Sequence, residues 1–194
     1  MEIRSFLAFE LPEDIKAIVS RVSAEMKGSP LDIRWVKIDN IHLTVIFLGK
    51  ISTEHAVDIG TIAGDVCNDF EPFSISLKGT GIFSSKRNPR VLWIGLDSDM
   101  KRMSHFKDTL QKNLKPFGIK AGKRKFNPHL ALGRFRKGAK SSVNLDALLQ
   151  KHKDLTSPVC SLRELALFKS DLKPGGAIYT KLNTWPLGSL RVEQ

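Results

Sequence analysis

Two histidines each open a short apolar run: Asn40-Ile41-His42-Leu43-Thr44-Val45-Ile46-Phe47-Leu48-Gly49, and Pro128-His129-Leu130-Ala131-Leu132-Gly133-Arg134-Phe135. Side chains alternate along a strand, so His42 and Thr44 share one side while Leu43 and Val45 take the other, which puts an imidazole and a hydroxyl about 7 Å apart. Histidine has an unperturbed pKa of about 6.5, so both of its protonation states are available near neutrality. One ring can therefore donate while the other accepts. Opening a phosphodiester with water needs a base for the water proton and an acid for the leaving oxygen, each transfer contributing roughly 10²–10⁴-fold. Two histidines on opposite sides of one phosphate would supply both without a metal.

Something must also hold the phosphoryl oxygens. Thr44 can donate its hydroxyl, and Arg134 offers a fixed fork of N–H donors. Arg134 is five residues past His129 and faces the opposite side of a regular strand; it reaches the site only if Gly133 introduces a bulge or the strand ends there. A lone histidine on an apolar strand is more often structural than catalytic, and a strand threonine needs no function. The same figure in corresponding places of two similar halves is what favours the acid–base pair. His55, His105 and His152 have no matching neighbours and read as solvated side chains. Neither strand histidine has a second ligand at a metal-site spacing, and no glycine-rich phosphate loop is present.

The elements that must position these residues follow from periodicity. Ile3 to Phe9 alternates as a strand, and Pro12-Glu13-Asp14 opens a helix whose apolar positions Ile15, Ile18, Val19, Val22 and Met26 end at Gly28. Arg34 to Lys37 is a short extended piece, and Asp39-Asn40 turns into the His42 strand. Thr53 caps a second helix with Ile59, Ile62, Ala63, Val66 and Phe70 on one side, stopped by Pro72. Phe73 to Leu77 is a strand, Gly79-Thr80-Gly81 bends the chain, and a basic turn from Ser84 to Pro89 precedes the strand Val91 to Leu96. A third helix runs from about Asp99 to Leu114. A basic loop, Lys120 to Lys125, leads to the His129 strand; a polar loop, Gly138 to Ser142, precedes a short helix at Asn144 to Gln150. Val159 to Phe168 and Ala177 to Leu182 are closing strands joined at Lys173-Pro174-Gly175-Gly176. Interleaved helices and antiparallel-capable strands make the class α+β. The two histidines lie 87 residues apart, close to half the chain, so the halves are expected to form a pseudo-symmetric pair of lobes with the two His strands face to face.

The chain has 194 residues, 41% of them hydrophobic, which suits one domain spanning residues 1–194. No apolar run approaches the roughly 20 residues of a membrane span, and the early Glu10 and Pro12 do not suit a secretory signal, so a cytoplasmic protein without a membrane partner is expected. Cys67 and Cys160 have no metal or redox spacing and fit buried thiols in a reducing compartment. A net charge of +11 favours a polyanionic partner, nucleic acid first. The excess concentrates in Lys86-Arg87 with Arg90, in Lys120 to Lys125, and from Arg134 to Lys140, the last two flanking His129.

These residues resemble the 2H phosphoesterases, and within them the RNA 2′,3′-cyclic phosphodiesterases, also called 2′-5′ RNA ligases (LigT/ThpR-like). The resemblance covers nearly the whole chain: Phe6 to Phe9, Arg34 to Lys37, Asn40 to Thr44, Gly81-Ile82-Phe83, Pro89 to Gly95, Phe126 to Leu130, and Leu167 to Ser170 with Tyr179. It implies a two-lobed α+β fold of antiparallel strands with outer helices around a central cleft. The implied activity is metal-independent hydrolysis of 2′,3′-cyclic phosphate at RNA ends to a 2′-phosphate, with reversible 2′-5′ ligation in some members and no cofactor. His42 and His129 would be the catalytic pair; in the family's usual assignment the first protonates the leaving 3′ oxygen and the second activates water, and the residues of this sequence leave open which does which. Thr44 would touch the phosphate, Arg134 would add a phosphate contact, and Phe83 would stack on the terminal base. The implied partner is RNA ending in a 2′,3′-cyclic phosphate, tRNA halves included, bound by a monomer. Ala131 departs from the family's Thr or Ser in the second motif; one missing neutral hydrogen bond, about 0.5–1.5 kcal/mol, would weaken phosphate binding and leave the acid–base pair. The rival from another class is an RNA-end-binding module with a degenerate second motif.

Overall fold

The computed structural model describes residues 1–85, 87–119, 126–138 and 143–188. Among these residues the strands are β1 (Glu2–Glu10), β2 (Ile33–Trp35), β3 (His42–Ser52), β4 (Phe73–Ser85), β5 (Asn88–Ser98), β6 (His129–Phe135), β7 (Cys160–Leu162), β8 (Glu164–Lys173) and β9 (Gly176–Pro186). The α-helices among them are α1 (Glu13–Lys27), α2 (Thr53–Asn68), α3 (Met100–Asn113) and α4 (Val143–Lys151). The strands make two antiparallel sheets, in the orders β3-β1-β8-β9 and β2-β6-β5-β4-β7. This is the expected α+β class with one His strand in each sheet. The expected basic loop at 120–125 and most of the polar loop at 138–142 fall outside the described residues.

The helices form where capping and periodicity agree. In α1, Pro12 sits at the cap, Glu13 and Asp14 occupy the first turn, and Ile15, Val19, Val22 and Met26 form the buried stripe. Asp99 caps α3 by accepting from the Arg102 N–H at 3.0 Å, and Met103, Phe106 and Leu110 are its buried face. The cap of α2 is Ser52 rather than Thr53: the Ser52 hydroxyl accepts from the His55 N–H at 3.1 Å, and Thr53 is already helical. Both sheets and the helices share one contiguous apolar core. A second, smaller cluster of Phe6, Ala8, Ala166 and Phe168, with Tyr179 against it, lies on the other face of the first sheet.

Two expectations about strands are corrected. The chain does not turn away at Gly79-Thr80-Gly81; β4 continues to Ser85 through a bulge at Gly79, whose φ of 58° and N–H bond to the Leu155 carbonyl absorb the extra residue. Nor is Val159 to Phe168 one strand. Leu162 pairs with Phe73 in one sheet while Leu165 pairs with Phe9 in the other, so the chain changes sheets at Arg163. Periodicity misses the break because both leucines are buried in the same core. His152 is also not solvated: it is 7% exposed, with its Nε2 3.7 Å from the Glu25 carboxylate.

Candidate active site

Each His strand lies against a neighbour that fixes its facing. On β3, Glu10 is opposite His42 and Ala8 is opposite Thr44; the register then slips, so that Leu7 meets Ile46 and Phe6 meets Phe47. On β6, Gly95 is opposite His129 and Trp93 is opposite Ala131; the same slip follows, Leu92 meeting Gly133 and Val91 meeting Arg134. The slip at the same step in both strands leaves two successive residues, Val45-Ile46 and Leu132-Gly133, buried. The next side chain, Phe47 or Arg134, is thereby returned to the histidine's side. Arg134 thus meets the condition that its spacing imposed.

Both rings are oriented alike. His42 Nδ1–H donates to the Asn40 carbonyl at 2.8 Å and His129 Nδ1–H to the Asn127 carbonyl at 2.8 Å. A carbonyl only accepts, so Nδ1 carries hydrogen in both rings and Nε2 is the nitrogen that takes up or releases a proton. The Asn40 turn is itself anchored, its side-chain Nδ2 donating to the Ala177 carbonyl at 2.9 Å. Repeated Asn-x-His was present in the sequence as a signal for this shared orientation, although the groups that act are backbone carbonyls.

The surroundings of the two rings differ. His42 stacks on Phe6 at 4.6 Å, with Phe168 at 6.1 Å and the Tyr179 ring edge-on at 5.3 Å. His129 meets the Phe83 ring edge-on at 4.6 Å, and Phe83 lies 5.6 Å from Trp93. The Trp93 ring lies over Gly81 and Gly95, where added Cβ atoms would meet it. Phe6, Phe168 and Trp93 were given no role from sequence; only the alternation of their strands, read together with the pairing partners, could have placed them beside the histidines.

Burial pushes the His42 pKa down to about 4; the Asn40 carbonyl opposes this, positive charge on His129 adds to it, and the Glu10 carboxylate opposes it. Burial likewise lowers the pKa of His129, with the Asn127 carbonyl opposing and the Arg134 guanidinium reinforcing the shift. His42 therefore senses the charge of His129, where β3 and β6 approach. Arg134 and Phe83 are gathered at His129. Thr44, on the His42 side, is half-buried. Glu10 is paired with Lys181. Among the described residues no group of three or more His, Cys, Asp or Glu side chains is assembled as a metal site requires, and no helix is long and apolar enough to cross a membrane.

Comparison with known proteins accounts for the duplicated arrangement. The family described as LigT like Phosphoesterase matches the chain twice in succession, over residues 9–93 and 94–179. An RNA 2′,3′-cyclic phosphodiesterase of Methanothermobacter thermautotrophicus is 31% identical over 96% of this chain and 100% of its own length. One from Aquifex aeolicus is 28% identical over 96% of this chain and 98% of its own. The crystal structure of Escherichia coli LigT complexed with 3′-AMP superposes with a TM-score of 0.76 at 25% identity, covering 96% of this chain and 99% of that one. With a pairing register that repeats between its halves and two consecutive matches to one family, the chain belongs to the LigT-like phosphoesterases, in the 2H superfamily.

Proposed function

We propose that this protein hydrolyses the 2′,3′-cyclic phosphate at an RNA end to a 2′-phosphate, with His42 and His129 as acid and base. The observation that supports this is the matched pair of rings: each has Nδ1–H tied to the carbonyl two residues before it, each leaves Nε2 available, and they stand on strands of two sheets that approach each other, with the charge of His129 reaching His42. The names of the relatives support RNA ends as the substrate class.

In the reaction, water attacks phosphorus and passes a proton to the neutral imidazole, the P–O3′ bond breaks, and the 3′ oxygen takes a proton from the other imidazolium. The 2′ oxygen keeps the phosphate. Thr44 donates its hydroxyl to one non-bridging oxygen and Arg134 offers N–H donors to the charge that builds up in the transition state. Phe83 presents a face to the terminal base. Burial favours the neutral form of both rings, and the phosphate itself supplies the negative charge that returns a proton to one of them. We assign His42 as the acid and His129 as the base; the Arg134 charge, which disfavours an imidazolium at His129, and the Glu10 charge, which favours one at His42, support that assignment against the burial that lowers both rings. With an RNA 5′-hydroxyl in place of water, the same transfers form a 2′-5′ linkage.

The pair needs no metal, and the test uses that. Hydrolysis of a 2′,3′-cyclic nucleotide is measured in excess chelator for the native chain, His42→Ala and His129→Ala. Turnover unaffected by chelator and lost in both variants supports the reading. RNA binding without turnover in the native chain would instead establish the binding-module reading favoured by Ala131, and loss of activity with chelator would refute the metal-free step.

A further inference from the structure

A cleft of about 490 Å³ is lined by Phe6 and Tyr179, which pack on His42, by Asn40, whose carbonyl holds the same ring, and by Arg134, whose charge reaches His129. From there it passes between β2 and the β8–β9 hairpin. Its wall carries five cationic side chains, Arg4, Arg34, Lys37, Arg134 and Lys173, and no carboxylate. None of the five has an ion-pair partner among the described residues. Elsewhere the exposed lysines Lys50, Lys78 and Lys151 stand beside carboxylates, which the lining of this cleft lacks.

The register adds a second observation. Arg34 on β2 is directly opposite Arg134 on β6, and both line the cleft. Like charges at directly opposed positions of an antiparallel pair destabilise the sheet unless an anion lies between them. Aromatic surface accompanies the charge: Trp35 is half-buried beside Arg34, and Phe47 is 65% exposed where the opposite half has Arg134. Cations that follow a phosphate backbone, interleaved with rings on which bases stack, are the composition of a single-strand binding groove.

We propose that this cleft is a second nucleotide subsite, holding the phosphate and base immediately 5′ of the reacting nucleotide. Arg4, Arg34 and Lys37 take that phosphate, and Trp35 or Phe47 stacks on its base. The inference rests on the function proposed above: a 3′-terminal cyclic phosphate leaves only the 5′ direction for the chain to continue. Phe83 on β4 and Trp35 on β2 lie on opposite flanks of β6, so the terminal base and the upstream strand leave the phosphate on different sides. The subsite makes an RNA chain a better substrate than a cyclic mononucleotide.

The test compares kcat/KM for a dinucleotide ending in 2′,3′-cyclic phosphate with that for the corresponding cyclic mononucleotide, in the native chain, Trp35→Ala and the double variant Arg4→Ala/Arg34→Ala. The native chain is expected to prefer the dinucleotide by about tenfold or more, the scale of one stacked base. The double variant should lose most of that preference and the steep salt dependence of dinucleotide turnover, while hydrolysing the mononucleotide at the native rate. Equal efficiency on both substrates in the native chain overturns the subsite alone, as do variants that slow both substrates by the same factor. No turnover of either substrate overturns the functional reading, and the subsite with it.

Discussion

Lowering the pH from 7.5 to 5 should destabilise the native chain by about 2 kcal/mol more than a His42→Gln variant. In the unfolded chain His42 protonates near 6.5, whereas in the folded chain burial holds it neutral until about pH 4. Between those values the unfolded state binds more protons, so stability rises with pH across the window and is lost as pH falls through it. Each unit of separation is worth about 1.36 kcal/mol, so the unit and a half between 6.5 and pH 5 gives about 2 kcal/mol, and the full separation about 3 kcal/mol. His129 and His152 also have lowered values and contribute in the same direction. They are present in both proteins, so the comparison subtracts them.

The assay is urea unfolding of both proteins at the two pH values. With a slope of about 2 kcal/mol per molar urea, the native midpoint should fall by about 1 M more than that of the variant. Equal midpoint shifts in the two proteins would refute the reasoning, since they would show that His42 is no harder to protonate in the fold than in the unfolded chain. Inorganic phosphate at pH 5 should restore part of the native protein's loss and little of the variant's, because an anion at the ring offsets the burial that keeps it neutral.

Arg134→Ala should raise KM for a cyclic nucleotide by about tenfold, the scale of one hydrogen bond to a charged group, and move the pH limb belonging to His129 upward, because a guanidinium that lowers its pKa is removed; a pH profile of kcat/KM reads both effects. Gly133→Ala should cost about 1–3 kcal/mol in thermal or urea unfolding, since its Cβ would run into the Ile33 side chain and lie 3.1 Å from the Arg34 carbonyl, wedging β2 from β6. Ala131→Ser should lower KM up to about tenfold by adding one donor to the phosphate; an unchanged KM would show that the Trp93 ring opposite leaves the hydroxyl no path to it.

The class, the helix stripes and the two histidine strands were legible because they rest on local periodicity and on a figure that occurs twice. Asp99 was legible as the start of α3 for the same reason. The division between β7 and β8 was not: Leu162 and Leu165 look like one apolar run, and only their partners in different sheets separate them. His152 escaped because the groups around it, Glu25 among them, lie far away in sequence. Arg134 stood between the two cases. Its residue type suggested a phosphate contact and its spacing put it on the far side of the strand; a bulge that depends on the pairing with Leu92 and Trp93 returns it to the side of His129.

The repeated bulge also explains how a duplicated frame becomes a directional site. In each half the chain offers the cleft a histidine, a small or hydroxylated residue two positions on, and one more side chain after the slip. The first half fills the last two places with Thr44 and Phe47, the second with Ala131 and Arg134. Opposite Thr44 stands Ala8, and opposite Ala131 stands Trp93, so side-chain volume is traded across each strand pair while both histidines stay in place. Two identical halves would hold a phosphate symmetrically and could not tell the attacking oxygen from the leaving one. In the proposed reaction, placing the hydroxyl and Glu10 with one imidazole, and the guanidinium with the other, would give a phosphate between them two chemically different sides, which is what one acid and one base require.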